Sequence, residues 1–190
     1  RWYNAAGDAP AAPDVPAGAE GDILRGCYRF GTYAPASGQA KKKVTLMGSG
    51  AILTEVVKAA QLLADEGIEA EVFSVTSWSE LARDGLACEQ RAIAGKEAGE
   101  DAGEAFVARQ RGQGQAPIVA ATDYVRAVPE SIRAFLPAGR RYLTLGSDGF
   151  GRSDTRAALR GFFGVDARSM AKAARHALGW LAAPGRMALS

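Results

Sequence analysis

Short apolar runs, each bracketed by glycine or polar residues, alternate along this chain with longer stretches of helical periodicity. Val44-Thr45-Leu46-Met47 predicts a strand and Gly48-Ser49-Gly50 the turn that leaves it. Ile52, Val56, Ala59, Ala60 and Leu63 then recur at helical spacing, with Thr54, Glu55, Lys58, Gln61 and Asp65 off that stripe, and Gly67 is placed to end the helix. Ala70–Val75 is a second strand of the same type, so strand, crossover helix and strand make a βαβ unit with parallel strands.

The alternation continues. Ser77-Trp78-Ser79-Glu80 has the form of a capping box and predicts a helix from Trp78 carrying Leu81, Ala82, Leu86 and Cys88 inward, weakened but not ended at Gly85. Residues 92–115 are dense in Gly, Ala, Glu and Arg and read as an exposed excursion with one helical patch around Glu104–Arg111. Pro117–Ala121 is a third parallel strand. Thr122 and Asp123 cap a helical stretch from Tyr124 that accommodates Pro129 by breaking at Val128, restarts with Ile132, Phe135 and Leu136 buried, and stops at Pro137. Tyr142–Leu145 is the fourth strand, followed by a helix over about 154–163 and a last helix capped by Asp166. That helix has a Val165–Met170 staple and runs through Leu181 to Pro184.

Upstream, residues 23–33 hold Ile23, Leu24, Cys27, Tyr28, Phe30 and Tyr33 and read as a further strand, an edge or antiparallel member of the sheet. Residues 1–22, with Pro10, Pro13 and Pro16, read as an extended arm, on which Trp2 and Tyr3 are available to pack on the folded part or on a partner. The expected organisation is an arm over 1–22, one domain over 23–183 and a tail over 184–190. Its fold class is α/β, a three-layer α/β/α arrangement around a mostly parallel sheet with one antiparallel edge strand.

Composition narrows the chemistry. With 23 basic and 21 acidic residues interspersed over 190, nothing marks a nucleic-acid or membrane-binding surface. No apolar run approaches a membrane span, and Arg1 in place of Met is expected of a processed chain or a piece of a longer one. Cys27 and Cys88 stand far apart, which suits a reducing, cytoplasmic compartment, and with the single His176 they leave too few ligands for a zinc site. His176 falls off most of the apolar stripe and is expected on the surface.

Chemistry-bearing residues concentrate in Gly146-Ser147-Asp148-Gly149-Phe150-Gly151-Arg152-Ser153-Asp154, between the fourth strand and the next helix. One reading is local: Asp148 and Gly149 make a turn, Ser153 caps the helix and Arg152 pairs with a neighbouring carboxylate. The other is functional, because in parallel sheets partners and ligands meet the carboxyl ends of the strands. Gly48-Ser49-Gly50 and Thr76-Ser77 are expected at the same end, as secondary candidates. Gly48-Ser49-Gly50 fits a dinucleotide turn poorly, since the third glycine of that motif falls on Leu53; Lys41, Lys42 and Lys43 suit either a phosphate or a solvated strand entrance.

The runs VTLMGSGAILTEVVKAAQLL, VFSVTSWSELARDG, APIVAATDYVRAVPESIRAFLP and YLTLGSDGFGRSDTRAALRGFFGVD resemble the carboxyl-terminal, transketolase-like third domain of homodimeric pyruvate dehydrogenase components, over about residues 23–180. SVTSWSELARDG with SDGFGRSDTR favours that subfamily over transketolase proper, and the fit is weakest in 92–115. The resemblance implies a whole enzyme that oxidatively decarboxylates pyruvate on thiamine diphosphate and Mg2+, in the first two domains of a dimer, and passes the acetyl group to a dihydrolipoyl acetyltransferase component. The G-D-G…N signature for the cofactor is not in this sequence. The resemblance therefore implies neither catalytic nor cofactor-binding residues here, no activity for the 190 residues alone, and a role in subunit packing and in shaping the active-site approach. The loop residues Asp148, Gly149, Phe150, Gly151, Arg152, Ser153 and Asp154 become the candidate interface, with Arg152 held by Asp148, Asp154 or a partner carboxylate. The alternative is a free-standing flavodoxin-like module that binds phosphate or nucleotide through Gly48-Ser49-Gly50 and Lys41–Lys43.

Overall fold

A computed structural model describes residues 15–95, 104–111 and 114–179. In chain order the elements are α1 (Glu20–Leu24), β1 (Cys27–Tyr33), β2 (Lys42–Ser49), α2 (Leu53–Asp65), β3 (Ile68–Val75) and α3 (Trp78–Ile93). After these come α4 (Phe106–Arg111), β4 (Ile118–Ala121), α5 (Ala127–Glu130), β5 (Tyr142–Leu145), α6 (Arg156–Phe163) and α7 (Ala167–Ala177). The five strands form one sheet in the order β1-β3-β2-β4-β5. Pairs β2–β3, β2–β4 and β4–β5 are parallel, while β1 runs antiparallel along β3, with a bulge between Arg29 and Gly31. The expected mixed α/β sheet with an antiparallel edge strand is what forms.

Period-two alternation sends successive apolar residues of the inner strands to opposite faces and so demands a cover on each. Val44, Leu46, Val72, Val119 and Ala121 meet α2 and α7 on one side, where Ile52, Val56, Leu63, Met170 and Ala174 are buried. Met47, Phe73, Val75, Ile118 and Ala120 meet Trp78, Leu81, Phe106, Val107 and Ile132 on the other. The staple forms as expected, since Val165 and Met170 are both buried and the Asp166 carboxylate accepts from Ser169 N at 2.9 Å. Ser77 caps α3 as expected, its Oγ accepting from Glu80 N at 3.1 Å, but the reciprocal half of the box does not form: Ser77 N donates to Gly26 O and Glu80 pairs with Arg83.

Four sequence readings are corrected. Ile23 and Leu24 belong to α1, not to the strand, which begins at Cys27 because Gly26 takes a positive φ and turns the chain. Residues 104–108 are no exposed excursion: Ala105, Phe106, Val107 and Ala108 are buried, and the Asp84 carboxylate accepts from Phe106 N at 2.6 Å to start α4. No helix starts at Tyr124 and none breaks at Val128; Thr122 Oγ1 accepts from Tyr124 N, and the helical turn α5 waits until Ala127 and carries Pro129 in its first turn. The cap of α6 is Thr155, whose Oγ1 accepts from Ala158 N, rather than Ser153. The readings made for Trp2, Tyr3, Leu181 and Pro184 lie outside the described residues.

Candidate functional site

The carboxyl ends of four parallel strands lie side by side, since Ser49 is in register with Val75, Gly48 with Ala121, and Ala121 with Leu145. The three segments singled out in the sequence therefore do converge on one edge. Gly48 lets α2 close on β2, as a Cβ there would stand 2.5 Å from Val56 Cγ2. Ser49 Oγ donates to Thr122 Oγ1 at 3.1 Å and bridges the ends of β2 and β4, the point at which the strand order departs in opposite directions. Thr76 Oγ1 donates to Ile23 O at 2.7 Å, and Thr76 N and Ser77 N both donate to Gly26 O, tying the end of β3 to the start of β1.

The loop after β5 is built on a close backbone approach. At Gly146 a Cβ would lie 2.7 Å from Arg126 N and 2.8 Å from Tyr124 O, and Ser147 N donates to Tyr124 O at 2.8 Å. Asp148 Oδ1 accepts from Arg126 N at 2.8 Å, and its other oxygen stands 4.0 Å from Arg126 Nε. Gly149 has a φ of 100° and reverses the chain, presenting Phe150, whose side chain is 96% exposed. Asp154 Oδ1 accepts from Thr155 N at 2.6 Å. Arg152 takes neither of these carboxylates: its guanidinium carbon stands 4.0 Å over the Phe162 ring, a cation–π contact from loop to helix. The sequence reading missed that partner because charge pairing was the only signal considered; an aromatic on the following helix was the signal available.

It also missed Glu55. Assigned to the polar side of α2, it is buried, and its carboxylate accepts from Lys58 Nζ and Arg160 Nη1 at 3.0 Å each and from Ala167 N at 3.1 Å. One carboxylate thus joins α2, α6 and the start of α7. Among the described residues no three His, Cys, Asp or Glu side chains gather where they could hold a metal ion. No helix among them is long and apolar enough to cross a membrane.

The phosphate-module alternative fails on distance. Lys42 and Lys43 enter β2, while Gly48-Ser49-Gly50 leaves it seven residues later, roughly 23 Å away along an extended strand. Two of the three lysines are also occupied: Lys42 Nζ donates to Leu178 O at 2.8 Å, and Lys43 pairs with Glu69 at 2.9 Å.

The family model described as transketolase-like TK C-terminal domain matches residues 31–166. The chain belongs to that family. Within it, the chain is 44% identical over 175 residues to the pyruvate dehydrogenase E1 component of Cupriavidus necator, covering 92% of this chain and 19% of that protein. It is 43% identical over 176 residues to the same component of Escherichia coli K12, covering 92% and 18%, and 43% identical over 157 residues to that of Mycobacterium tuberculosis, covering 82% and 16%. The chain is thus homologous to the C-terminal region of these E1 components and spans less than a fifth of their length. In fold it is similar to transketolase from Leishmania mexicana, with a TM-score of 0.51 at 16% identity over 85% of this chain and 19% of that one.

Proposed function

We propose that this transketolase-like domain is the C-terminal domain of a thiamine diphosphate-dependent pyruvate dehydrogenase (acetyl-transferring) subunit, and that it serves the enzyme by docking rather than by chemistry. The observation that carries the reading is identity above 40% over nine tenths of the chain to E1 components of which it spans less than a fifth. The chain's own groups do not fit the cofactor. Of the carboxylates at the strand ends, Asp148 is engaged by Arg126 and Asp154 by Thr155, and no ligand set for Mg2+ forms among the described residues. No catalytic step is therefore assigned to these residues.

On this reading the chain before α1 connects to upstream domains that hold thiamine diphosphate and Mg2+. The subunit is a cytoplasmic homodimer that hands its acetyl group to a dihydrolipoyl acetyltransferase, and the Gly146–Asp154 loop lies against the upstream domains or the second subunit. The loop's hydrogen-bonded ends and exposed tip suit a contact surface, because a preorganised patch loses little entropy on docking. The test is Arg152→Ala in an E1-length subunit carrying this sequence. Weaker dimerisation or lower pyruvate turnover is expected, with the fold of the isolated chain left intact. Wild-type dimer affinity together with wild-type turnover would refute the role given to the loop.

A further inference from the structure

Helix α6 differs from the longer helices of this fold. Ala157, Ala158, Leu159, Phe162 and Phe163 make it amphipathic, yet none of its residues is buried, whereas α2, α3 and α7 each bury a continuous stripe. Phe162 is 57% exposed, and with Phe150 it sets two large aromatic rings in solvent on neighbouring segments. The face is nevertheless held in shape. Thr155 caps α6, Gly164 ends it with a φ of 67°, and Arg160 pins it to buried Glu55. Phe162 meets Phe163 edge-on at 5.0 Å between centroids and is covered on one side by Arg152. With Asp148 and Asp154 engaged by backbone N–H groups, the N–H edge of Arg152 is left to an outside acceptor. Exposed aromatics beside a stacked arginine have the composition of an interface hot spot.

We infer that α6, anchored by Phe150 and Phe162, is covered in the assembled enzyme by the region that precedes this domain in E1-length subunits. That region would offer an apolar recess for the two rings and a carboxylate for Arg152. The inference rests on the E1 reading and extends it from the loop to the helix. One observation selects this occupant: the chain spans only 16–19% of its E1 relatives, so the bulk of such a subunit lies outside it.

Hydrogen exchange of the peptide spanning residues 156–163 tests this, read in the isolated chain and in an E1-length subunit containing it. Exchange slowed by about tenfold or more in the longer subunit is expected, and Phe150→Ala with Phe162→Ala should return it towards the isolated rate. Equal exchange in the two proteins overturns the inference. So does protection of the 146–154 peptide without α6, a result that leaves the E1 reading standing. Concentration-dependent protection of α6 in the isolated chain, with dimers in sedimentation, overturns it in favour of a second copy. Protection of α6 in a longer subunit inactive on pyruvate upholds the contact and removes the E1 reading.

Discussion

Gly146 shows how one missing side chain shapes the loop. The atoms a Cβ would strike are backbone atoms of Tyr124 and Arg126, which no rotamer change can move aside. Gly146→Ala should therefore cost about 1–3 kcal/mol. Gly149→Ala, in open space but at a φ of 100°, should cost about 1–2 kcal/mol, and Gly151→Ala, which meets nothing and needs no positive φ, should change stability by less than about 0.5 kcal/mol. Urea unfolding of the three variants checks that order. Glu55 acts differently, by satisfying groups that arrive from far along the chain. Glu55→Ala strands the Ala167 N–H and the Arg160 guanidinium and should cost about 3 kcal/mol in the same measurement.

Between elements, the packing of α3 turns on Gly85. Helix propensity alone says that Gly85→Ala should stabilise by about 1 kcal/mol, but a Cβ would lie 2.2 Å from Phe135 Cγ, well inside contact distance. Overlap should win, and thermal unfolding should show a net loss of about 1–3 kcal/mol. The outer edge of β5 is secured by Glu130, which accepts from Arg133 Nε at 2.6 Å and Nη2 at 2.8 Å and from the Thr144 hydroxyl, while Arg133 Nη1 donates to Tyr142 O at 3.1 Å. The Arg133 hydrogen bond, opposed by partial burial and aided by Thr144, holds the Glu130 carboxyl below the usual glutamate range. A carboxyl whose pKa is lower folded than unfolded contributes fully above its unfolded value, about 4.3, and loses that contribution as pH falls through the folded value. Glu130→Gln should flatten that part of the acid limb of a urea-midpoint profile.

These elements also mark what was legible in the residues. Strands β2 to β5, helix α2, the Ser77 cap and the Val165–Met170 staple rest on local period and capping, which short windows carry. Glu55 was misplaced because its partners lie more than a hundred positions later, and Arg152 because its partner is a ring. Phe106 and Val107 were assigned to an excursion because glycine and alanine around them hide a two-residue anchor that only the face below α3 can receive.

At the scale of the whole molecule, the strand ends carry hydrogen-bonded turns, an exposed phenylalanine and no assembled ligand set among the described residues. Calorimetric titration of the isolated chain with thiamine diphosphate and Mg2+, and with flavin mononucleotide, should show no saturable binding; micromolar binding of either would return chemistry to this edge. The antiparallel pairing of β1 has a further consequence, in time rather than space. On the ribosome β1 emerges before the other four strands of its sheet, yet its partner among the described strands runs from Ile68 to Val75, with Cys27 set opposite Val75. Until that stretch has been made, Tyr28, Phe30 and Tyr33 wait on an unpaired strand, open to capture by another chain. The sheet edge that closes the finished domain is thus the segment that a folding helper would have to shield longest during synthesis.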